Sequence, residues 1–179
     1  NKRYTVAVAG FGGVHVAKSL HLFVETPMLP NEILDQLKLP VFVKPNNGGS
    51  SLGISKVNTA SELPTALEKA FKEDTQVLVE ECISGREFTI GVFKSKGVLT
   101  VLPITEITTE NEFFDFEAKY QGKSKEITPA IVSEKMFNDL TTAAKKVYAT
   151  LNCRGVVRVD FIYDEAAEKA YMLEVNTVP

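Results

Sequence analysis

The sequence predicts a mixed α+β fold built from antiparallel hairpins and amphipathic helices. Three observations carry the prediction. GVVRVDFIYDEAAEKAYMLEVN alternates apolar and polar residues on both sides of a polar turn, the pattern of a half-buried hairpin. EFTIGVFK and VLTVLPITEI form a second hairpin across SKG. TASELPTALEKAFKE and SEKMFNDLTTAAKKVYATL repeat apolar residues at helical spacing.

Taken in order, RYTVAVAG reads as a buried strand running into a glycine turn, as at the start of a Rossmann-like unit. FGGVHVAKSL follows at once, and a parallel partner strand needs a connection of a dozen or more residues. Residues are therefore expected to be missing between Ala9 and Gly12. NEILDQL is a short helix, PVFVK a strand ending at Lys44, PNNGGSSLG a glycine-rich loop and ISKV a short strand. In the next helix Thr59 and Glu62 fit a capping box, and Pro64 falls in the first turn, where it is tolerated. Leu63, Ala66, Leu67, Ala70 and Phe71 form its apolar stripe. QVLVEE is a buried strand, and the EFTIGVFK hairpin follows. TENEFFDFEAKYQGKSKEITPA is a long, charged and aromatic connection of the type that carries function. The last long helix has Ser133 as its cap. The final hairpin has strands over Gly155–Tyr163 and Ala170–Asn176.

The 179 residues suffice for one large domain or two small lobes, and 44% hydrophobic residues supply a sizeable core. With 20 basic against 23 acidic residues, the formal net charge of −3 argues against a generic nucleic-acid binder. Cys82 and Cys153 form no CxxC or metal spacing, which fits a reducing cytoplasm. No apolar run is long enough to span a membrane, and no signal peptide is evident. His15 and His21 lie in an apolar segment and read as structural.

The chemistry-bearing residues concentrate in the last hairpin. Arg158 and Asp160 share one face of their strand, and Glu174 and Asn176 share one face of the partner. A hairpin closed at DEAAEK places Asp160 almost opposite Glu174, where like carboxylates repel. Two carboxylates and an amide oxygen suit a hard cation such as Mg²⁺. A merely solvated face of an amphipathic hairpin reads equally well. The loop after Lys44 has glycines that let backbone approach a phosphate, with Ser50 and Ser51 as hydroxyl donors. It lacks the P-loop order, and a mobile surface turn is the competing reading. Glu80 and Glu81 end a strand and Glu87 follows a Ser-Gly turn; an adenine and ribose site or an acidic strand end meeting solvent both fit. Lys119 and Tyr120 in FEAKY suit a phosphate contact and a lid, or plain surface charge.

The order of these motifs is more telling than any one of them. VFVKPNNGGSSLGISKV, VLVEECISGREFTIGV, FFDFEAKYQGK with ITPA, and GVVRVDF with YMLEVNTVP together resemble the D-alanine–D-alanine ligases of the ATP-grasp superfamily, from Phe11 to Pro179. The resemblance implies two α+β lobes clasping ATP, over residues 11–84 and 85–179, with residues 1–10 as the first strand of a Rossmann-like pre-ATP-grasp domain. It implies that Lys44 and Lys119 grip phosphates and that Ser50 and Ser51 belong to the glycine-rich lid. Glu80, Glu81, Cys82 and Ile83 would line the adenine, and Glu87 would bind the ribose. Asp160, Glu174 and Asn176 would hold two magnesium or manganese ions. Arg158 would stabilise the acyl phosphate and the tetrahedral intermediate, and Tyr120 would hydrogen-bond Ser50 in the closed lid. A second nucleotide-binding lysine is implied upstream of VHVAKSL, in the stretch expected to be missing.

The implied activity is the ADP-forming ligation of two D-alanine molecules for peptidoglycan precursors, by a cytoplasmic homodimer whose partners are small molecules, not nucleic acid or membrane. Another ATP-grasp carboxylate–amine ligase would share Lys44, Asp160, Glu174 and Asn176, but FDFEAKY and LEVNTVP favour the D-alanine enzyme, and Tyr120 favours an amine acceptor over a hydroxy acid. A non-catalytic nucleotide-binding module of the same fold would have lost a metal ligand or the arginine, and none is lost.

Overall fold

A computed structural model describes residues 1–49, 52–109, 124–177 and 179. The first element corrects an expectation. Lys2–Phe11 is a helix, α1, not a strand. Thr5, Val6 and Val8 favour strand by composition, but Val6 and Ala9 are buried at helical spacing. The first turn is also capped: Tyr4 N–H donates to Asn1 Oδ1 at 3.2 Å, and Arg3 N–H to Asn46 Oδ1 at 2.8 Å. The expected gap between Ala9 and Gly12 is the closing turn of this helix. Gly12 N–H bonds to Val8 O and Val14 N–H to Ala9 O, while Gly13 takes a φ of 74°.

The chain divides into two compact units. The first comprises Asn1–Tyr4 and Ala17–Cys82. Its antiparallel strands are β1 (Ser19–Phe23), β2 (Val41–Pro45), β3 (Ser55–Val57) and β4 (Gln76–Glu81), in the order β1-β4-β2-β3. Helices α2 (Pro30–Leu34) and α3 (Leu63–Glu73) supply Ile33, Leu63, Leu67 and Ala70 to a core shared with Leu22, Val41, Val43, Val77 and Val79. Glu62 accepts from the Asn58 and Thr59 N–H groups at 2.8 and 3.4 Å, the glutamate half of the expected box, so α3 starts where the pattern places it.

The second unit comprises Thr5–Val16 and Ile83–Pro179. Its antiparallel sheet runs β10-β9-β5-β7-β8, with β6 on the other end of β5. The strands are β5 (Arg86–Ser95), β6 (Val98–Val101), β7 (Thr105–Thr109), β8 (Ser124–Ile127), β9 (Val156–Asp164) and β10 (Lys169–Asn176). VLTVLPITEI makes two strands because Pro103 has no N–H for the ladder. Helix α4 (Glu134–Thr150) starts at Ser133, whose Oγ accepts from Met136 N–H at 3.2 Å. It buries Met136, Leu140, Ala144 and Val147 against one sheet face, where Phe88, Ile90, Val157, Val159 and Phe161 lie. The alternate residues of β5 and β9 therefore lie on the other face.

Candidate functional site

That other face of the second unit carries the polar constellation. In β9 Val157, Val159, Phe161 and Tyr163 go to the core, so Arg158 and Asp160 face away from it. Asp160 is only 7% exposed, which makes its partners matter. Arg158 holds it with two bonds, Nε to Oδ1 at 2.9 Å and Nη2 to Oδ2 at 3.1 Å. Thr89 Oγ1 on β5 donates to Oδ1 at 2.6 Å, and Asn176 Nδ2 on β10 donates to Oδ2 at 3.2 Å. The carboxylate in turn holds the Arg158 guanidinium above its usual pKa, chiefly by the hydrogen bond.

Glu174 pairs with Asp160 across the hairpin, and Asn176 pairs with Arg158. The ladder shifts register between Met172 and Glu174, a bulge that leaves Leu173 as the extra residue. Glu87 pairs with Ile162 on β9, two residues along from the Thr89–Asp160 pair and on the same face.

The donor set of Asp160, Glu174 and Asn176 is all oxygen and carries two carboxylates, which fits Mg²⁺ or Mn²⁺ and not a soft metal. Among the described residues no three His, Cys, Asp or Glu side chains cluster, so Asn176 is needed to complete the set. The amide nitrogen, not the oxygen, is the atom it turns to Asp160.

In the first unit Lys44 on β2 pairs with Glu80 on neighbouring β4. Both are largely buried, with side chains 16% and 9% exposed, and the Lys44 ammonium lies 5.2 Å from the Phe42 ring centroid. Glu81 Oε1 accepts from the Lys38 N–H at 2.8 Å. Cys82 N–H bonds to Pro40 O, and burial raises its thiol pKa, so it is not a ready nucleophile. Ile83 begins the longer segment of the second unit. The base of the glycine-rich loop is anchored: Asp74 Oδ2 accepts from the Asn47 N–H and Nδ2 at 2.7 and 2.8 Å. Ser50, Ser51, Lys119 and Tyr120 lie outside the described residues.

Sequence reasoning missed Lys2. Its Nζ donates to Pro45 O at 3.1 Å and Gly48 O at 3.4 Å, which puts a second cation at the base of that loop. The signal was present as Asn1, a favourable N-cap, which marks the segment as a helix start upstream of VHVAKSL.

Comparison with known proteins places the chain in a family. A family profile described as D-ala D-ala ligase C-terminus matches residues 6–179. A D-alanine–D-alanine ligase of Flavobacterium johnsoniae is 45% identical over 179 residues, which are 100% of this chain and 55% of that protein. One of Bacteroides fragilis is 42% identical over 167 residues, 93% of this chain and 51% of its own length. The chain thus spans about half the length of the curated relatives it matches. Among solved structures, the VanG D-Ala:D-Ser ligase of Enterococcus faecalis superposes with a TM-score of 0.84 at 34% identity, over 99% of this chain and 52% of that one. A Bacillus anthracis D-alanine–D-alanine ligase complexed with ATP gives 0.81 at 28% identity, over 100% and 55%. The fold is that of these ATP-grasp ligases, and the chain belongs to the D-alanine–D-alanine ligase family, matching the part described as its C-terminus.

Proposed function

We propose that this protein joins two D-alanine molecules at the expense of ATP, forming D-alanyl-D-alanine for peptidoglycan precursors. The observation that carries the reading is the pairing of Glu174 with an Asp160 already held by Arg158, on the polar face of a hairpin in a ligase-family chain. A carboxylate is a poor acyl donor, so its oxygen first attacks the γ-phosphorus and ADP departs. The amine of the second D-alanine, having lost its proton, then attacks the acyl carbon. The C–O bond breaks with its electron pair leaving on phosphate, the nitrogen gives up its extra proton to that phosphate, and the amide remains.

Lys44 and Lys2 neutralise phosphate oxygens, with Lys119 and the Ser50–Ser51 loop assigned to the same nucleotide. Glu80, Glu81, Cys82 and Ile83 line the adenine, and Glu87 takes the ribose hydroxyls. Asp160, Glu174 and Asn176 hold two Mg²⁺ or Mn²⁺ ions, which supply charge neutralisation to the transferring phosphoryl group. Arg158 orients the acyl phosphate and takes up oxyanion charge. Tyr120 closes the lid over Ser50 and keeps water from the acyl phosphate. A homodimer in the cytoplasm completes the proposal. No described helix is long and apolar enough to cross a membrane, and Cys82 and Cys153 are free thiols, which supports the compartment.

The test is product analysis. Full-length protein with ATP, Mg²⁺ and D-alanine yields ADP, phosphate and the dipeptide, and L-alanine does not substitute. D-serine and D-lactate are run as competing acceptors, because one structural neighbour is a D-Ala:D-Ser ligase. The curated relatives at 45% and 42% identity are named D-alanine–D-alanine ligases, which supports D-alanine as the preferred acceptor. Release of AMP and pyrophosphate would move the protein to another ligase class.

A further inference from the structure

We propose that Thr89 is a positioning residue for the metal site, fixing the Asp160 carboxylate through its hydroxyl; this rests on the reading of Asp160 as a metal ligand. Asp160 draws its hydrogen bonds from its own strand and from both neighbours: Arg158 on β9, Asn176 on β10 and Thr89 on β5. Two of these donors have other work in the reaction. Arg158 must reach the acyl phosphate, and Asn176 must turn an oxygen to the cation. Each then loosens or gives up its bond to Asp160. Thr89 has no such duty.

Thr89 is also the donor least able to leave. It is the ladder partner of Asp160, so backbone hydrogen bonding sets its position. Its side chain is short and β-branched, with one stiff torsion, whereas Arg158 has four flexible ones. Its neighbours Phe88 and Ile90 are fully buried on the opposite face and pin the strand. The hydroxyl takes Oδ1 at 2.6 Å, the shortest of these contacts. A donor fixed on Oδ1 sets the plane of the carboxylate and directs Oδ2 toward the Glu174–Asn176 side of the hairpin. Groups that hydrogen-bond a metal ligand in this way commonly change affinity by about 10–100-fold when removed. The sequence shows only a threonine in a strand, where β-propensity alone would explain it.

The experiment compares Thr89→Val, Thr89→Ser and Asp160→Asn in full-length protein. Mn²⁺ is titrated in the presence of ADP, with free Mn²⁺ read by electron paramagnetic resonance. Valine keeps the shape and strand propensity and deletes the hydroxyl; serine keeps the hydroxyl. The expected result is Mn²⁺ affinity weakened about 10–100-fold in Thr89→Val, near wild-type affinity in Thr89→Ser, and the metal-free melting temperature little changed in both. Should Thr89→Val fail to fold, Thr89→Ala carries the same comparison. Unchanged or tighter Mn²⁺ binding in Thr89→Val, with binding lost in Asp160→Asn, overturns the role of Thr89. Unchanged binding in Asp160→Asn overturns the metal-site reading itself, and the role of Thr89 with it.

Discussion

Glu174 stands opposite Asp160 because Leu173 is an extra residue in β10. Towards the turn the pairs are Ala170 with Tyr163 and Met172 with Phe161. An uninterrupted ladder would next set Glu174 against Val159, which is fully buried, and would drive the carboxylate into the core. The bulge moves Glu174 to the face of Asp160 and leaves Met172 on the core side.

Glu174→Gln should therefore preserve the hairpin while weakening divalent-metal binding and cutting turnover by at least about 100-fold, taking the upper end of ligand-shell effects. The amide fits the same place, and repulsion with Asp160 is relieved. Calorimetric Mg²⁺ or Mn²⁺ titration with ADP, next to a melting curve, checks this. Turnover near wild type with an unchanged magnesium requirement would remove Glu174 from the metal set.

Arg158→Ala should separate metal binding from chemistry. It removes two charge-assisted bonds from a nearly buried carboxylate and should cost about 1.5–3 kcal/mol of stability without metal. Mn²⁺ should restore much of that loss, since a cation then faces Asp160, while ligation stays impaired. Melting curves with and without Mn²⁺, alongside dipeptide assays, read the two effects. A variant equally destabilised in both conditions would contradict the argument.

Lys44→Met strips Glu80 of its ammonium partner in a largely buried setting and should destabilise the first unit by about 3 kcal/mol. Adding Glu80→Gln should recover most of the stability but not ATP binding. A double-mutant cycle in denaturant, with nucleotide titration of each variant, tests both halves.

Gly85→Ala should destabilise without touching any proposed ligand. A Cβ at this position would run into the Tyr163 backbone carbonyl, which cannot move aside as a flexible side chain would. The expected loss is about 1–3 kcal/mol, seen as a lower midpoint in urea.

Tyr163 gives a pH signature. Its hydroxyl donates to Asp139 Oδ2 at 2.6 Å, and burial together with that carboxylate pushes its pKa up to about 12, from about 10 in an unfolded chain. The native state thus keeps a proton that the unfolded state loses. The contribution is whole below pH about 10 and disappears as pH rises through about 12. Tyr163→Phe should be less stable than wild type near neutrality, and the gap should close across that window. A gap constant through alkaline pH would show that the hydroxyl is not held as described.

The legible parts were those set by local pattern. Alternation paired Arg158 with Asp160 on one face of β9 and Glu174 with Asn176 on one face of β10, and helical spacing with Ser133 located α4. The illegible parts depend on distant residues. Helix α1 looked like a strand because its β-branched residues were visible and its cap from Asn46, 43 positions away, was not. With that helix went Lys2. The bulge left a trace that alternation alone did not decode: Met172 and Glu174 are two apart, yet one belongs to a core and the other to a polar face. Any strand reading in which an apolar and an ionic residue share parity invites an inserted residue between them.

Strand β9 sends Val157, Val159, Phe161 and Tyr163 one way and Arg158 and Asp160 the other. Stability and chemistry are thus interleaved along one stretch of backbone. Substitutions can tune either set alone, but a single codon gained or lost in this strand would exchange the two sets between oil and water. Length variation among descendants should therefore accumulate in the 165–168 turn and be purged from 157–163, so that the gap pattern of a large alignment would outline this strand even if every residue letter were hidden.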